Sequence, residues 1–231
     1  MNIDKIKKVN NNAYVWLLMK GDSYLPGIFI SVYSVIRTNP KADLVIMVTP
    51  DVSDSCIEVI YKLQTKENNL HVVIIPYISV ETILMKTQKQ RQMYNTWMSE
   101  SYTKWNMMNL PYKKTLFLDA DVLVTSNVDH LFKLSAPAGP FNNAFVKPFG
   151  KLPNFLEGKK GPDGYPVHGS QISKKEIDNM LTKDGTVLVA SAVLLEPNKK
   201  DYIRYVQMLE DEKPFGFPGC YSGFDEQSLV H

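Results

Sequence analysis

Residues Lys113–Phe132 read KKTLFLDADVLVTSNVDHLF. The apolar run KTLFLDA has the length and continuity of a strand covered on both faces, and the carboxylates Asp119 and Asp121 stand at its end. In an open parallel sheet, ligands gather in the crevice beyond the carboxyl ends of the strands, and the two aspartates fall there. Residues two apart on an extended chain point to the same side. Carboxylates placed so repel one another unless a cation sits between or beside them, and a hard divalent ion such as Mg2+ or Mn2+ answers that need. An ion held by one or two carboxylates completes its shell with water and substrate phosphates, so the pair points to a phosphorylated ligand. A plainer reading stays open: Asp119 starts a turn, Asp121 is solvated, and SNVDHLF is a capped helix.

Upstream, the short apolar runs AYVWLLM (Ala13–Met19), DLVIMVTP and LHVVIIPYI read as three strands. Between them, IFISVYSVIRTNP has helical spacing and ends before Pro40, and VSDSCIEVIYKLQTKENN offers Ser53 or Asp54 as helix cap. A polar, Met-rich segment from Ser79 to Leu110, with helical stretches, precedes the fourth strand. Downstream, Ala136–Ser170 is rich in Pro and Gly and reads as a long excursion, the kind of loop that carries binding on a rigid scaffold. SKKEIDNMLTK reads as a short helix, and TVLVASAVLLEP as a strand pair or one bulged strand. NKKDYIRYVQMLEDE reads as a helix capped by Asn198, with Tyr202, Val206 and Leu209 apolar. Strands alternating with helices predict an α/β fold around a mostly parallel sheet.

With 231 residues, 44% of them hydrophobic, the chain can bury a sizeable core, and a single domain is expected. The net charge is +2 and the lysine pairs are scattered, so nothing calls for nucleic acid as a partner. Cys56 and Cys220 show neither metal spacing nor a disulfide framework, which suits a reduced compartment. The start MNIDKIKKVNNN is polar and AYVWLLM is too short for a membrane span. A cytoplasmic protein is the expectation.

Two enzyme classes use paired aspartates after a strand. One is a metal-dependent glycosyltransferase, whose carboxylates hold a cation against the diphosphate leaving group of a nucleotide sugar. The other is a haloacid-dehalogenase-type phosphatase, with Asp119 as nucleophile and Asp121 as acid and base. The phosphatase pattern belongs on a first strand, with Thr or Val where Leu123 stands. Three strands precede it here, which favours the glycosyltransferase.

LFLDADVLVTSNVDHLF also resembles the Asp-x-Asp segment of family 8 glycosyltransferases, the glycogenin-like group, with its following N-[IV]-D-x-L-F. In the same order, DSYLPG resembles that group's DAYAKG and TPDVSD its TPQVSD. YTKWNMMNLPYKKTLFLDAD resembles the Thr-Lys helix ahead of the metal motif, and FDEQSL the family's DQ helix. The resemblance spans nearly the whole chain. It implies a GT-A fold, a Rossmann-like sheet with a nucleotide-binding part at about 12–135 and a donor and acceptor part at about 136–231. It also implies a UDP-sugar donor, Mn2+ or Mg2+ as cofactor, and transfer with retention.

By position, Asp119 and Asp121 are then the expected metal ligands. Leu17, Leu18 and Tyr24 line the nucleoside, with Tyr24 stacking on the base, although packing is an equal use for a tyrosine that opens a helix. Ala120, Ser191 and Gln227 border the donor. Lys104 lies near the donor sugar and phosphates; outside this context a lone helical lysine is solvated. Asp225 falls beneath the anomeric carbon, where a carboxylate stabilises oxocarbenium-like charge or acts as nucleophile; its plainer use is as the N-cap of EQSLV. Two departures stand out. The family's Asn-Ser-Gly is Ala190-Ser191-Ala192 here, which removes an amide from the sugar site. The family's His-x-x-Gly-x-x-Lys-Pro-Trp segment, with its third metal ligand and a diphosphate lysine, does not occur before His231. The alternative expectation is therefore a nucleotide-sugar-binding domain without turnover. The acceptor, whether glycan, protein or small molecule, is expected in the Pro- and Gly-rich excursion, near Phe149, Phe155 and Tyr165. A homodimer is a family expectation.

Overall fold

The computed structural model describes residues 2–80, 98–140 and 189–211, with a few isolated positions between them. The expected helix in SKKEIDNMLTK, and Phe149, Phe155, Tyr165, Cys220, Asp225 and Gln227, lie outside the described residues. Among the described residues five strands form one sheet: β1 Asn12–Leu18, β2 Asp43–Val48, β3 Leu70–Ile74, β4 Lys114–Leu118 and β5 Ala192–Leu195. They lie in the order β3-β2-β1-β4-β5, all parallel except β5, which runs antiparallel to β4. The expected α/β architecture is thus present, and the order reverses direction between β1 and β4, the switch point at which such sheets open a crevice.

The strands are mostly apolar because both faces are covered. Tyr14, Trp16 and Leu18 of β1 share one core with Leu44, Ile46 and Val48 of β2, roofed by helices α1 (Leu25–Ile36) and α2 (Asp54–Tyr61). Ala13 and Val15 of β1 and Val45 and Met47 of β2 face the other core. There they meet Tyr102 and Trp105 of a 3-10 segment, Met98–Asn109, and the Tyr202, Val206 and Leu209 face of α3 (Lys199–Asp211). The side chain of Ser53 caps α2 by accepting the Cys56 amide, and Asn198 caps α3 by accepting the amides of Lys200 and Asp201. Cys56 is a free, buried thiol whose pKa burial pushes up to about 11.

The amino ends of the strands are closed by a buried carboxylate. Asp43 is fully shielded and accepts the amides of Val9 and Asn10, the Asn10 side chain and the Tyr112 hydroxyl. Such saturation is what allows a carboxylate to be buried. The carboxyl ends of the strands carry the loops described next.

Candidate functional site

Asp119 and Asp121 follow β4, but not on the extended chain that their spacing suggests. The Val122 amide donates to the Asp119 carbonyl at 3.0 Å, so the two aspartates occupy the first and third places of a β-turn. The reason lies in α1. Ser31, on the buried side of that helix, donates to the Val122 carbonyl at 2.7 Å and accepts the Trp16 indole N–H at 2.9 Å, while Ser34 accepts the Val124 amide at 3.0 Å. These two serines, one helical turn apart, pull the chain back over α1. Gly27 lets the two approach: a Cβ there would meet the Ala120 carbonyl oxygen at 3.0 Å. On the other side of the turn, the Asp119 amide donates to the Ser191 carbonyl at 2.9 Å, at the start of β5.

Around this turn the structure gathers several of the expected residues. β1 and β4 pair as far as Val15 beside Phe117, and Leu17 and Leu18 end β1 as Asp119 and Ala120 follow the end of β4. The Lys104 ammonium, on the 3-10 segment, lies 3.5 Å from Asp119 and 5.3 Å from the centre of the Phe117 ring. Asp119 is half-buried and Asp121 exposed. Tyr24 is the residue before α1 and is 64% exposed. Leu17, Leu18, Lys104, Asp119, Ala120 and Ser191 therefore share one edge of the sheet. Among the described residues, no group of three His, Cys, Asp or Glu side chains is placed to hold a metal. Asp119 and Asp121 are the two carboxylates of the β4 turn itself.

The rest of the motif is not the capped helix of the plainer reading but a short 3-10 turn, with Val128 at its N-cap, held by polar contacts. Asp129 accepts the Tyr14 hydroxyl at 2.8 Å, the Lys41 amide at 3.0 Å and the Asn127 side chain at 3.1 Å. Asn127 in turn reaches the Thr38 carbonyl. This half of the motif ties a short 3-10 turn, Asp129–Lys133, to β1 and to the loop after α1.

The sequence reading missed a second polar cluster, beside the turn that follows β1. Asp51 and Tyr77 sit after β2 and β3 and bond to each other, and Asp22 accepts both the amide and the hydroxyl of Ser53. The Ser53 hydroxyl, then its amide, hold the Asp22 carboxyl below the ordinary range. Lys20 reaches Glu100 at 3.1 Å. Burial pushes the Glu100 carboxyl up, but hydrogen bonds from Ser99 and Lys20 outweigh it and leave the group below its ordinary range. The available signal was the density of Asp, Ser and Thr in TPDVSDS just past a strand.

The description of glycosyl transferase family 8 matches residues 17–170, two-thirds of the chain. The chain belongs to that family. An uncharacterized protein, R707 of Acanthamoeba polyphaga mimivirus, is 33% identical over 195 residues, covering 84% of this chain and 58% of that protein. UDP-glucuronate:xylan alpha-glucuronosyltransferase 2 of Arabidopsis thaliana is 24% identical over 140 residues, 61% of this chain and 21% of that one. Inositol phosphorylceramide glucuronosyltransferase 1, from the same plant, is 31% identical over 124 residues, 53% and 20% respectively. This family 8 chain thus spans less than two-thirds of each relative's length. Among solved structures, galactosyltransferase LgtC with donor and acceptor sugar analogs superposes with a TM-score of 0.52 at 12% identity, over 87% of this chain and 64% of that one. GlyE of Streptococcus pneumoniae gives 0.53 at 13% identity, over 95% and 43%. The shared architecture is the GT-A fold, as the resemblance implied, and family membership removes the phosphatase alternative.

Proposed function

We propose that this protein is a metal-dependent, retaining glycosyltransferase that takes its sugar from a UDP-sugar. The observation that carries the reading is the Asp119–Val122 turn, which presents two carboxylates at the carboxyl end of β4, at the switch point of the sheet, with the Lys104 ammonium 3.5 Å from one of them. Two carboxylate ligands suit a hard divalent ion that keeps further positions for water and phosphate oxygens. A lysine and a divalent ion beside one aspartate repel each other, and a diphosphate lying between them turns that repulsion into a shared attraction. Mn2+ or Mg2+ held by Asp119 and Asp121 would supply charge neutralisation to a diphosphate leaving group.

The chain's own residues do the remaining work in this reading. With the diphosphate at the β4 end, the nucleoside lies across β1 and over the turn at Leu17–Tyr24. Tyr24, already presented to solvent, covers the base. Lys104 draws the phosphates and the donor sugar toward β4. Asp225, matched by the DQ helix, stabilises positive charge at the anomeric carbon, with Gln227 beside it. Residues 12–135 form the nucleotide part and 136–231 the donor and acceptor part.

Calorimetric titration tests the reading. UDP is expected to bind in the presence of Mn2+ and not with chelator, and Asp119→Asn and Asp121→Asn are each expected to abolish that binding with the fold intact. A panel of UDP-glucose, UDP-galactose and UDP-glucuronate, the last suggested by the plant relatives' names, is expected to yield released UDP that disappears in Asp225→Asn. A folded protein that ignores UDP and Mn2+ would overturn the proposal. Tight UDP binding without release from any donor would favour a binding domain without turnover, the alternative that Ala190-Ser191-Ala192 raises.

A further inference from the structure

The turn after β1 holds an unusual backbone. Lys20 has φ 60° and Gly21 has φ 77°. Glycine adopts this region freely, whereas a lysine does so against its own Cβ. Space around Gly21 is open, so the glycine answers the backbone conformation and not crowding. A lysine persists in this region where its surroundings over-determine it.

Those surroundings come from the two neighbouring strand ends. The Tyr77 hydroxyl accepts the Lys20 amide at 2.9 Å and is directed at both Asp51 oxygens, at 2.9 and 3.0 Å. Asp51 also accepts the Thr49 hydroxyl and the Gly21 amide. The next residue, Asp22, is locked to Ser53 through both of its oxygens. Three consecutive residues of the turn are therefore each gripped from β2 or β3. The Lys20 ammonium, held in turn by Glu100, reaches the segment that carries Lys104 four residues later. Asp51 is exposed and Tyr77 half-buried. Polar contacts of that kind compete with water and add little to global stability. What they do is select one conformation of the turn.

We infer that Asp51 and Tyr77 are positioning residues for the donor nucleotide: they hold Lys20–Gly21 left-handed so that the Leu17–Tyr24 turn is formed before the nucleoside arrives. The inference rests on the reading above that this turn takes the nucleoside. A loop ordered in advance loses less freedom on binding, and the saving appears as affinity. The rate of the chemical step is untouched, because neither residue reaches the β4 turn.

Tyr77→Phe keeps the ring and removes the hydroxyl. The expected result is an affinity for UDP, measured with Mn2+ by calorimetry, weaker by about tenfold (~1.4 kcal/mol), with the thermal unfolding midpoint unchanged. In turnover, KM rises and kcat stays, the signature of lost uniform binding. Amide hydrogen exchange at Lys20 and Gly21 in the ligand-free protein accelerates. In a Lys20→Asn background, where the Glu100 pair is absent from both proteins, Tyr77→Phe costs little affinity, since asparagine tolerates the left-handed region; a hydroxyl that touched the nucleotide would cost as much there as in wild type. Unchanged UDP affinity in Tyr77→Phe, or an undiminished cost of Tyr77→Phe in the Lys20→Asn background, overturns the inference and leaves the glycosyltransferase reading standing. A wild-type protein that fails to bind UDP removes that reading and this inference together.

Discussion

Replacing Gly27 by alanine sets two effects of opposite sign against each other. Gly27 lies in the first turn of α1, where alanine is the better helix former by at most about 1 kcal/mol. The new methyl meets the Ala120 carbonyl oxygen at 3.0 Å, whereas ordinary contact begins at 3.4 Å. One of the two must move by a few tenths of an ångström. Ala120 is poorly placed to give way: Asp119 before it is tied to Ser191 and to Val122, and Val122 after it is tied to Ser31. Forced overpacking costs about 1–3 kcal/mol, which exceeds the helical gain. The expected net loss is about 1 kcal/mol, or roughly 2–4 °C in unfolding temperature for a chain of this size. The displacement also passes to the carboxylates on either side of Ala120. A misplacement of 1 Å costs about a hundredfold in a well-ordered site, so a shift of less than half that is expected to weaken Mn2+-dependent UDP binding by about tenfold. Differential scanning calorimetry and titration of UDP in Mn2+ give the two numbers on one protein. A Gly27→Ala protein that melts higher than wild type and binds UDP equally well would show that α1 does not press on the β4 turn, and the account of how the aspartates are placed would fail.

Ser31→Ala leaves the buried Trp16 indole N–H and the Val122 carbonyl without their partner, at a cost of about 2 kcal/mol; a fall of roughly 4–8 °C in unfolding temperature checks it. Lys104→Gln removes a cation 3.5 Å from Asp119. Discounted for the exposure of the pair, the interaction is worth up to about 1 kcal/mol, so Mn2+ alone is expected to bind a few-fold tighter while UDP in Mn2+ binds more weakly. His71 is buried on β3, and burial depresses its pKa although Asp43 and the Lys7 carbonyl favour the charged form. Its folded pKa lies below the unfolded value near 6.5, so as pH falls through about 6.5 the unfolded chain takes up a proton that the folded one refuses, and stability declines. Urea midpoints at pH 7.5 and 5.5 are expected to differ more for wild type than for His71→Gln.

The strands were legible because each is a short, largely apolar run, and burial on both faces leaves few polar positions to blur it. Helix α1 begins three residues earlier than IFISVYSVI suggests, since Pro26 is tolerated in a first turn, where its missing N–H has no helical partner to lose. The segment Met98–Asn109 winds as a 3-10 helix where helical stretches were expected, and the Asn106 side chain there bonds the Pro76 and Thr103 carbonyls. Asp119, Asp121 and Lys104 stand out in the chain as candidates, and the structure puts Lys104 against Asp119. The bend that carries the aspartates could not be read from the chain, because Ser31 and Ser34 reach it from 91 and 90 residues away. The Asp51–Tyr77 contact likewise joins two loops that no local pattern connects.

Among the described residues β5 alone runs antiparallel, and this has a consequence for what the edge of the sheet can carry. Because β5 runs against β4, the chain that leaves the sheet at Pro140 and the chain that returns at Val189 meet, with the Val189 amide on the Pro140 carbonyl and Ala138 bridged to Leu194. Pro140 and Val189 thus form a closed socket at the edge of the sheet. Closing a flexible connection of twice the length costs only about 0.6 kcal/mol more, so such a socket tolerates segments of very different length while the sheet stays as it is. The socket opens one hydrogen bond away from Asp119, through Ser191. Whatever chain the socket holds therefore begins and ends beside the β4 turn, without any change to the strands that form it.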